Sequence, residues 1–357
     1  MTQTYRCALI GVGKAGSPGN VKGGGHRIAY THSTALLEDK RMDLCAAADI
    51  SPENLAAWSE EFGVSKTYVD YNEMLRVEKP DIVTICTYVG LHRQMIEDCA
   101  RAGVKGVFCE KPFLATPADI QAVREVALET GIKVSVAHVQ RYNPAFQLAR
   151  EWIAAGKIGN PLLISAGIVD WDLSEWGSHW LDMFCFLNGD TPAEWVMGQA
   201  RVRDQRGYGH AMEEHAVAYV GFQNGCRGVL DGGQAMVQPC TMLVSGTEGE
   251  IRICNSGNGD YFIHTSRSGW EEVIPPAPPR SWFLLAFQKS FNDLADWIEG
   301  GAEPVAGLPH ALATSEINLG AYLSMVHGDR IDLPLTDFSV DEWPVEALAR
   351  KWASSQK

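Results

Sequence analysis

The sequence predicts a two-domain α/β protein: a doubly wound parallel sheet first, then an α+β domain built on an antiparallel sheet. Three observations carry this. Up to about residue 140, short runs apolar on both faces alternate with helical patterns, the grammar of β-α-β units. A glycine motif follows the first of these runs, and an acid closes the second. Beyond Arg141-Tyr142-Asn143-Pro144, strand-like runs follow one another directly, separated by Gly and Asn turns.

The first strand is read over 5–10 and ends in Gly11-Val12-Gly13; the second covers 43–48 and is closed by Asp49. A helix follows over 52–62, with Ser51 as N-cap and Pro52 at its first position. Next come an apolar strand at 81–86, a helix near 91–102 and a strand at 105–109. Thr116 caps a helix over 117–130, and 133–137 is one more strand. In the second part a helix at 145–155 precedes strands at 162–169, 215–223, 226–231, 241–246 and 249–254. Helices near 281–299 and 309–326 follow. The expected domains are 1–140 and 141–336, with 337–357 a surface arm ending in a short helix.

At 357 residues the chain is long enough for two domains and a large core. Its 46% hydrophobic and 21% charged residues are those of a soluble globular protein. A formal charge of -14 argues against nucleic acid or an anionic membrane as partner. The nine cysteines stand singly, without C-x-x-C, which points to a reduced, cytoplasmic setting rather than a disulfide or zinc framework. No metal site is expected: His210 and His215 flank two glutamates in a pattern other than H-E-x-x-H.

Gly11-Val12-Gly13-Lys14-Ala15-Gly16 matches G-x-G-x-x-G directly after a strand, where glycines let the backbone approach a pyrophosphate. The helix cannot start at once, because Ser17-Pro18-Gly19-Asn20 and Gly23-Gly24-Gly25 would break it. Residues 14–25 therefore read as an enlarged loop, with the helix starting near His26 or Arg27. Asp49 ends its strand where an adenosine ribose would lie, and Ile50-Ser51 supplies no arginine for a 2′-phosphate. That favours NAD over NADP. A plain glycine turn and an aspartate that joins the Ser-Pro helix cap are the alternatives.

Val107-Phe108-Cys109-Glu110-Lys111-Pro112 is a buried strand stopped by an acid, a base and a proline. Ligands of open α/β sheets bind at such carboxyl ends, which would set Lys111 beside a bound cofactor; the alternative is a surface ion pair. In Glu175-Trp176-Gly177-Ser178-His179-Trp180-Leu181-Asp182, helical spacing puts Glu175, His179 and Asp182 on one face. A carboxylate could then orient the imidazole, which is the side chain best poised to take a hydroxyl proton near neutral pH. Trp171, Trp176 and Trp180 cluster there, either as sugar-stacking rings or as core.

These stretches, with Gln140-Arg141-Tyr142-Asn143-Pro144 and the closing Gly328-Asp329-Arg330-Ile331-Asp332-Leu333-Pro334, resemble the Gfo/Idh/MocA (glucose-fructose oxidoreductase / inositol dehydrogenase) family over nearly the whole chain. The resemblance implies a Rossmann domain, a C-terminal domain with an open, mostly antiparallel sheet, and homodimers or homotetramers paired through that sheet. It also implies hydride exchange between a nicotinamide cofactor and a sugar, glycoside or cyclitol. Lys111 is similar to the family's catalytic lysine, Glu110 to its nicotinamide-ribose contact, and His179 to its general base. His92 matches the histidine that opens the helix after the fourth strand. The implied cofactor set is Gly11, Gly13, Asp49, Thr87, His92, Glu110 and Lys111. Lys111, Tyr142, Glu175, Trp176 and His179 would face substrate. Departures are Glu175 where the family has Asp, Thr87-Tyr88-Val89 where it has Thr-Pro-Asn, and the long loop at 14–25.

The expected activity is NAD-dependent oxidation of a secondary ring hydroxyl, with catalysis by Lys111, His179 and Glu175. Glycoside cleavage or epimerisation with tightly held NAD is the alternative, and a non-catalytic sugar or dinucleotide sensor is the third reading.

Overall fold

The computed structural model describes residues 3–13, 27–169, 172–202, 204–206, 210–233, 242–255, 261–265, 271–273 and 280–355. The loop expected over 14–25 lies outside the described residues, as does Trp171. The chain divides into two compact units. One holds the chain up to Val139 together with Phe283–Ala311; the other holds Gln140–Arg206, His210–Trp282 and everything from Leu312 on.

The first unit alternates strand and helix: β1 (Tyr5–Ile10), α1 (Ile28–Leu37), β2 (Met42–Ala48), α2 (Pro52–Phe62), β3 (Thr67–Tyr68), α3 (Tyr71–Glu78), β4 (Ile82–Ile85), α4 (Val89–Arg101), β5 (Gly106–Cys109), α5 (Pro117–Thr130) and β6 (Lys133–Val136). The six strands form one sheet in the order β3-β2-β1-β4-β5-β6, every pairing parallel. β4 and β5 are buried along their whole length, as strands covered on both faces must be. Local chemistry sets the helix ends. The Ser51 hydroxyl accepts the Asn54 N–H at 3.2 Å, and Gly63 closes α2 at φ 71°. Thr116 and Asp119 exchange side chain-to-backbone bonds in a capping box. The short β3, and α3 capped by Asp70, were not read from the sequence.

In the second unit a 3₁₀ turn that begins at Val139 and ends at Tyr142 leads into α6 (Pro144–Ala154), β7 (Pro161–Val169), α7 (Gly177–Leu187) and β8 (Ala193–Arg201). β9 (Asp204–Arg206) and β10 (His210–Met212) form a separate hairpin. β11 (His215–Phe222), β12 (Arg227–Gly233), β13 (Met242–Gly246), β14 (Glu250–Asn255), β15 (Tyr261–Thr265) and β16 (Glu271–Val273) complete the strand run. After α8 (Trp282–Ile298) and α9 (Leu308–His327) come β17 (Ile331–Asp332) and α10 (Pro344–Ser355). The nine-stranded sheet runs β16-β15-β14-β13-β7-β12-β11-β8-β17; only β7 and β12 pair in parallel. β8 was not read from the sequence: its inward positions alternate with exposed ones, but all except Val196 are only half-buried, and Trp195-Val196-Met197 run apolar together, which blurs the period.

Two segments pack differently from expectation. α8 was expected in the second domain, yet Phe287 and Phe291 meet Phe108 of β5 with ring centroids 6.0 and 4.8 Å apart. The Tyr5 hydroxyl of β1 also donates to Glu299 at 2.8 Å. An amphipathic helix can bury its stripe on any apolar surface, and sequence distance does not say which. The expected C-terminal arm is likewise part of the second unit. Val345 and Leu348 of α10 are buried, and Glu346 accepts the Ala211 N–H at 2.8 Å.

Candidate active site

In a sheet ordered as the first unit's is, strand order reverses between β1 and β4, and ligands bind outside the carboxyl ends of those strands. Gly11 stands there with φ 90°, a conformation that glycine adopts without strain. The buried Asp49 leaves β2 beside it. One of its oxygens accepts the Val12 N–H at 2.8 Å; the other accepts the Ser51 N–H at 2.9 Å and the Asn54 amide at 3.3 Å. The acid thus ties the glycine turn to the start of α2, as the helix-cap reading of Asp49 expects. Ile50 follows it, 57% exposed.

At the end of β4, Thr87 is buried and its carbonyl accepts from His92 Nε2 at 3.0 Å, while His92 Nδ1 lies 2.9 Å from the Phe113 carbonyl. His92 therefore ties the turn after β4 to the segment after Lys111. Each ring nitrogen thus faces a backbone carbonyl.

Glu110 and Lys111 leave β5, the next strand in the sheet. Glu110 is buried and Lys111 half-buried, and Glu110 Oε2 accepts the Lys111 backbone N–H at 3.1 Å. Burial pushes the Glu110 carboxyl toward protonation, but the hydrogen bond and charge of His32 and the charge of Lys111 outweigh it. The net effect holds Glu110 below its ordinary value. Sequence reading missed His32. The available signal was a histidine on the buried stripe of α1, with Ala29, Ser33 and Leu36.

In the second unit α7 begins at Gly177, so Glu175 precedes the helix instead of sharing its face with His179 and Asp182. The expected i, i+4, i+7 alignment does not form as drawn. A turn anchored by Asp172, whose Oδ1 accepts the Glu175 N–H at 2.8 Å, occupies that place. Space in front of Gly177 is tight: a Cβ there would lie 3.0 Å from Leu173 Cδ1 and 3.3 Å from Leu230 Cδ2. His179 is buried in the first turn of α7 with its ring 5.7 Å from that of the half-buried Trp176. Asp182, one turn on, is gripped by Arg141, and Thr314 adds a bond at 3.1 Å. Tyr142 is half-buried beside Arg141.

Residues 5–138 match the oxidoreductase family with an NAD-binding Rossmann fold, and residues 146–252 match the GFO/IDH/MocA C-terminal domain. The chain belongs to the Gfo/Idh/MocA oxidoreductase family. Its relatives include a D-apiose dehydrogenase of Paraburkholderia graminis, 28% identical over 82% of this chain and 83% of the relative. Another is the scyllo-inositol 2-dehydrogenase (NAD(+)) of Bacillus subtilis, 24% identical over 93% of this chain and 97% of the relative. Among solved structures, an Agrobacterium radiobacter oxidoreductase in complex with NAD+, L-tartaric acid and magnesium superposes with a TM-score of 0.75. It is 21% identical and covers 92% of this chain and 98% of its own. As a Gfo/Idh/MocA protein, the chain is an NAD-dependent oxidoreductase. The residues present fit NAD: a glycine turn of positive φ, an acid tied to it, and no cation at Ile50.

Proposed function

We propose that the chain oxidises a secondary ring hydroxyl of a sugar, glycoside or cyclitol to the ketone, or reduces the ketone by the same path. The observation that carries the reading is the Glu110–Lys111 pair at the carboxyl end of β5, in the sheet whose strand order marks a dinucleotide site. Relatives that act on D-apiose and scyllo-inositol support the substrate class. Bound NAD supplies the hydride acceptor. His179 takes the hydroxyl proton on a ring nitrogen, and Glu175 orients the substrate or the imidazole. The Lys111 ammonium stabilises the developing alkoxide, an interaction worth about 3 kcal/mol for one well-aimed donor. Gly11, Gly13, Asp49, Thr87, His92 and Glu110 shape the cofactor site, while Tyr142 and Trp176 contact substrate.

The test is NADH formation at 340 nm against inositols, D-apiose, free aldoses and glycosides, with NAD and with NADP. Turnover with NAD on a polyol is expected. It should fall roughly 100-fold or more in Lys111→Met and in His179→Asn, with NADH binding retained. Wild-type turnover in both variants would overturn the assignment.

A homodimer or homotetramer through the nine-stranded sheet is supported by Met197 and Tyr219, large apolar side chains exposed on β8 and β11. A cytoplasmic setting is supported by the sequence's singly placed cysteines. Light scattering of the purified protein tests the first.

A further inference from the structure

His32 is fully buried in α1, and its two ring nitrogens meet two different side chains. Nε2 lies 2.9 Å from Glu110 Oε1, and Nδ1 lies 2.6 Å from Thr84 Oγ1 of β4. Phe108, Phe287 and Phe291 surround the ring, with centroids 5.2, 4.7 and 5.9 Å away. In such a setting the partners at hand decide the tautomer. An ionised carboxylate only accepts, so Nε2 carries hydrogen; in the neutral ring the Thr84 hydroxyl then donates to Nδ1.

A histidine that only filled the core would need no particular partner. This one holds the carboxylate whose other oxygen accepts the Lys111 backbone N–H. The charge of Lys111 also acts on Glu110, and the thiols of Cys86 and Cys109 feel the Glu110 charge. Burial keeps both thiols protonated. Without His32, the buried Glu110 carboxylate would lose the hydrogen bond on Oε1.

We propose that His32 is a positioning residue for Lys111: its bond to Glu110 Oε1 fixes the carboxylate whose other oxygen holds the Lys111 backbone N–H, and so sets where the lysine leaves β5. This rests on the role given to Lys111 above. The aromatic wall belongs to the same device: Phe287 and Phe291 of α8 exclude water that would otherwise replace the His32 bond.

The test uses NMR of the full chain with NADH bound, so that it does not depend on turnover alone. The backbone ¹H–¹⁵N signal of Lys111, identified in ¹⁵N-lysine-labelled protein by its loss in Lys111→Arg, reports its bond to Glu110. In His32→Leu its amide hydrogen exchange is expected to speed up about tenfold, as the carboxylate loses its anchor. In His32→Gln, whose amide can still donate to Glu110, it should return most of the way. The ¹⁵N spectrum should show the wild-type His32 ring protonated at Nε2. Lys111 exchange in folded His32→Leu equal to wild type would overturn the proposal. Should that variant fail to fold, His32→Asn, whose amide is too short to reach Glu110, decides by the same readout, and an unmoved exchange rate overturns the proposal. Failure of the Lys111 assignment would look different. Lys111→Met would then turn over like wild type while the NMR coupling of His32, Glu110 and Lys111 persisted.

Discussion

Arg141 and Asp182 form a fork in which the guanidinium Nε and Nη2 meet the carboxylate at 2.9 and 2.8 Å, and neither side chain reaches solvent. Burial works against the arginine's charge, but Asp182 and Asp190 more than offset it, so the guanidinium stays charged. Asp190 also binds Arg150 at 2.8 Å, which links the turn before α6, α6 itself and the end of α7. Because Asp182 lies one turn beyond His179, this network sets the helix that carries the imidazole.

Removing one partner leaves the other charge buried. Arg141→Met is expected to cost about 3–5 kcal/mol in urea unfolding. Arg141→Met with Asp182→Leu should recover a large part of that loss, because no orphan charge remains. Additive costs in the double variant would show that the pair does not act as a unit.

Cofactor choice rests on Asp49 and its neighbour. Asp49→Ser should weaken NAD binding roughly tenfold, equivalent to about 1.4 kcal/mol. Adding Ile50→Arg should then raise NADP affinity above that of wild type, since the repelling carboxylate is gone and a cation has arrived. Melting curves belong beside the binding data, because Asp49 also holds the Val12 and Ser51 N–H groups.

Glu110 makes part of the stability depend on pH. Its folded value is depressed below the ordinary 4.5, so the folded state binds its proton less readily than the unfolded chain does. The contribution is complete above that value and is lost as pH falls through the lower folded one. Glu110→Gln should therefore flatten stability against pH on the acid side of 4.5, with little effect on slope near neutrality. Urea midpoints across that range measure it, and an unchanged acid slope would remove Glu110 as the source.

Much of the fold around the candidate site was legible because local rules are strong where backbone chemistry is demanding. Ser51-Pro52, Thr116-Pro117 and the glycine turn each announce a boundary through a missing donor, a cap or a positive φ. Lys111, Asp49 and His179 stand out as polar residues at the ends of apolar runs or within an apolar helix. Glu175 was misread by helical counting because the periodicity argument does not see where a helix starts. There the decision belonged to Asp172 and to the space in front of Gly177.

By itself the sequence determined the alternation of strands and helices, the change of pattern near Arg141, and the acid–lysine pair after β5. These are written in neighbouring residues, where period, caps and turns act over a few positions. Only the tertiary structure decided that α8 walls His32 with Phe287 and Phe291, that His32 holds Glu110, and that Arg141 pairs with Asp182. Each is a contact between residues distant in the chain. Desolvation makes such polar pairs strongly selective once formed, yet no local pattern records which partners burial will bring together.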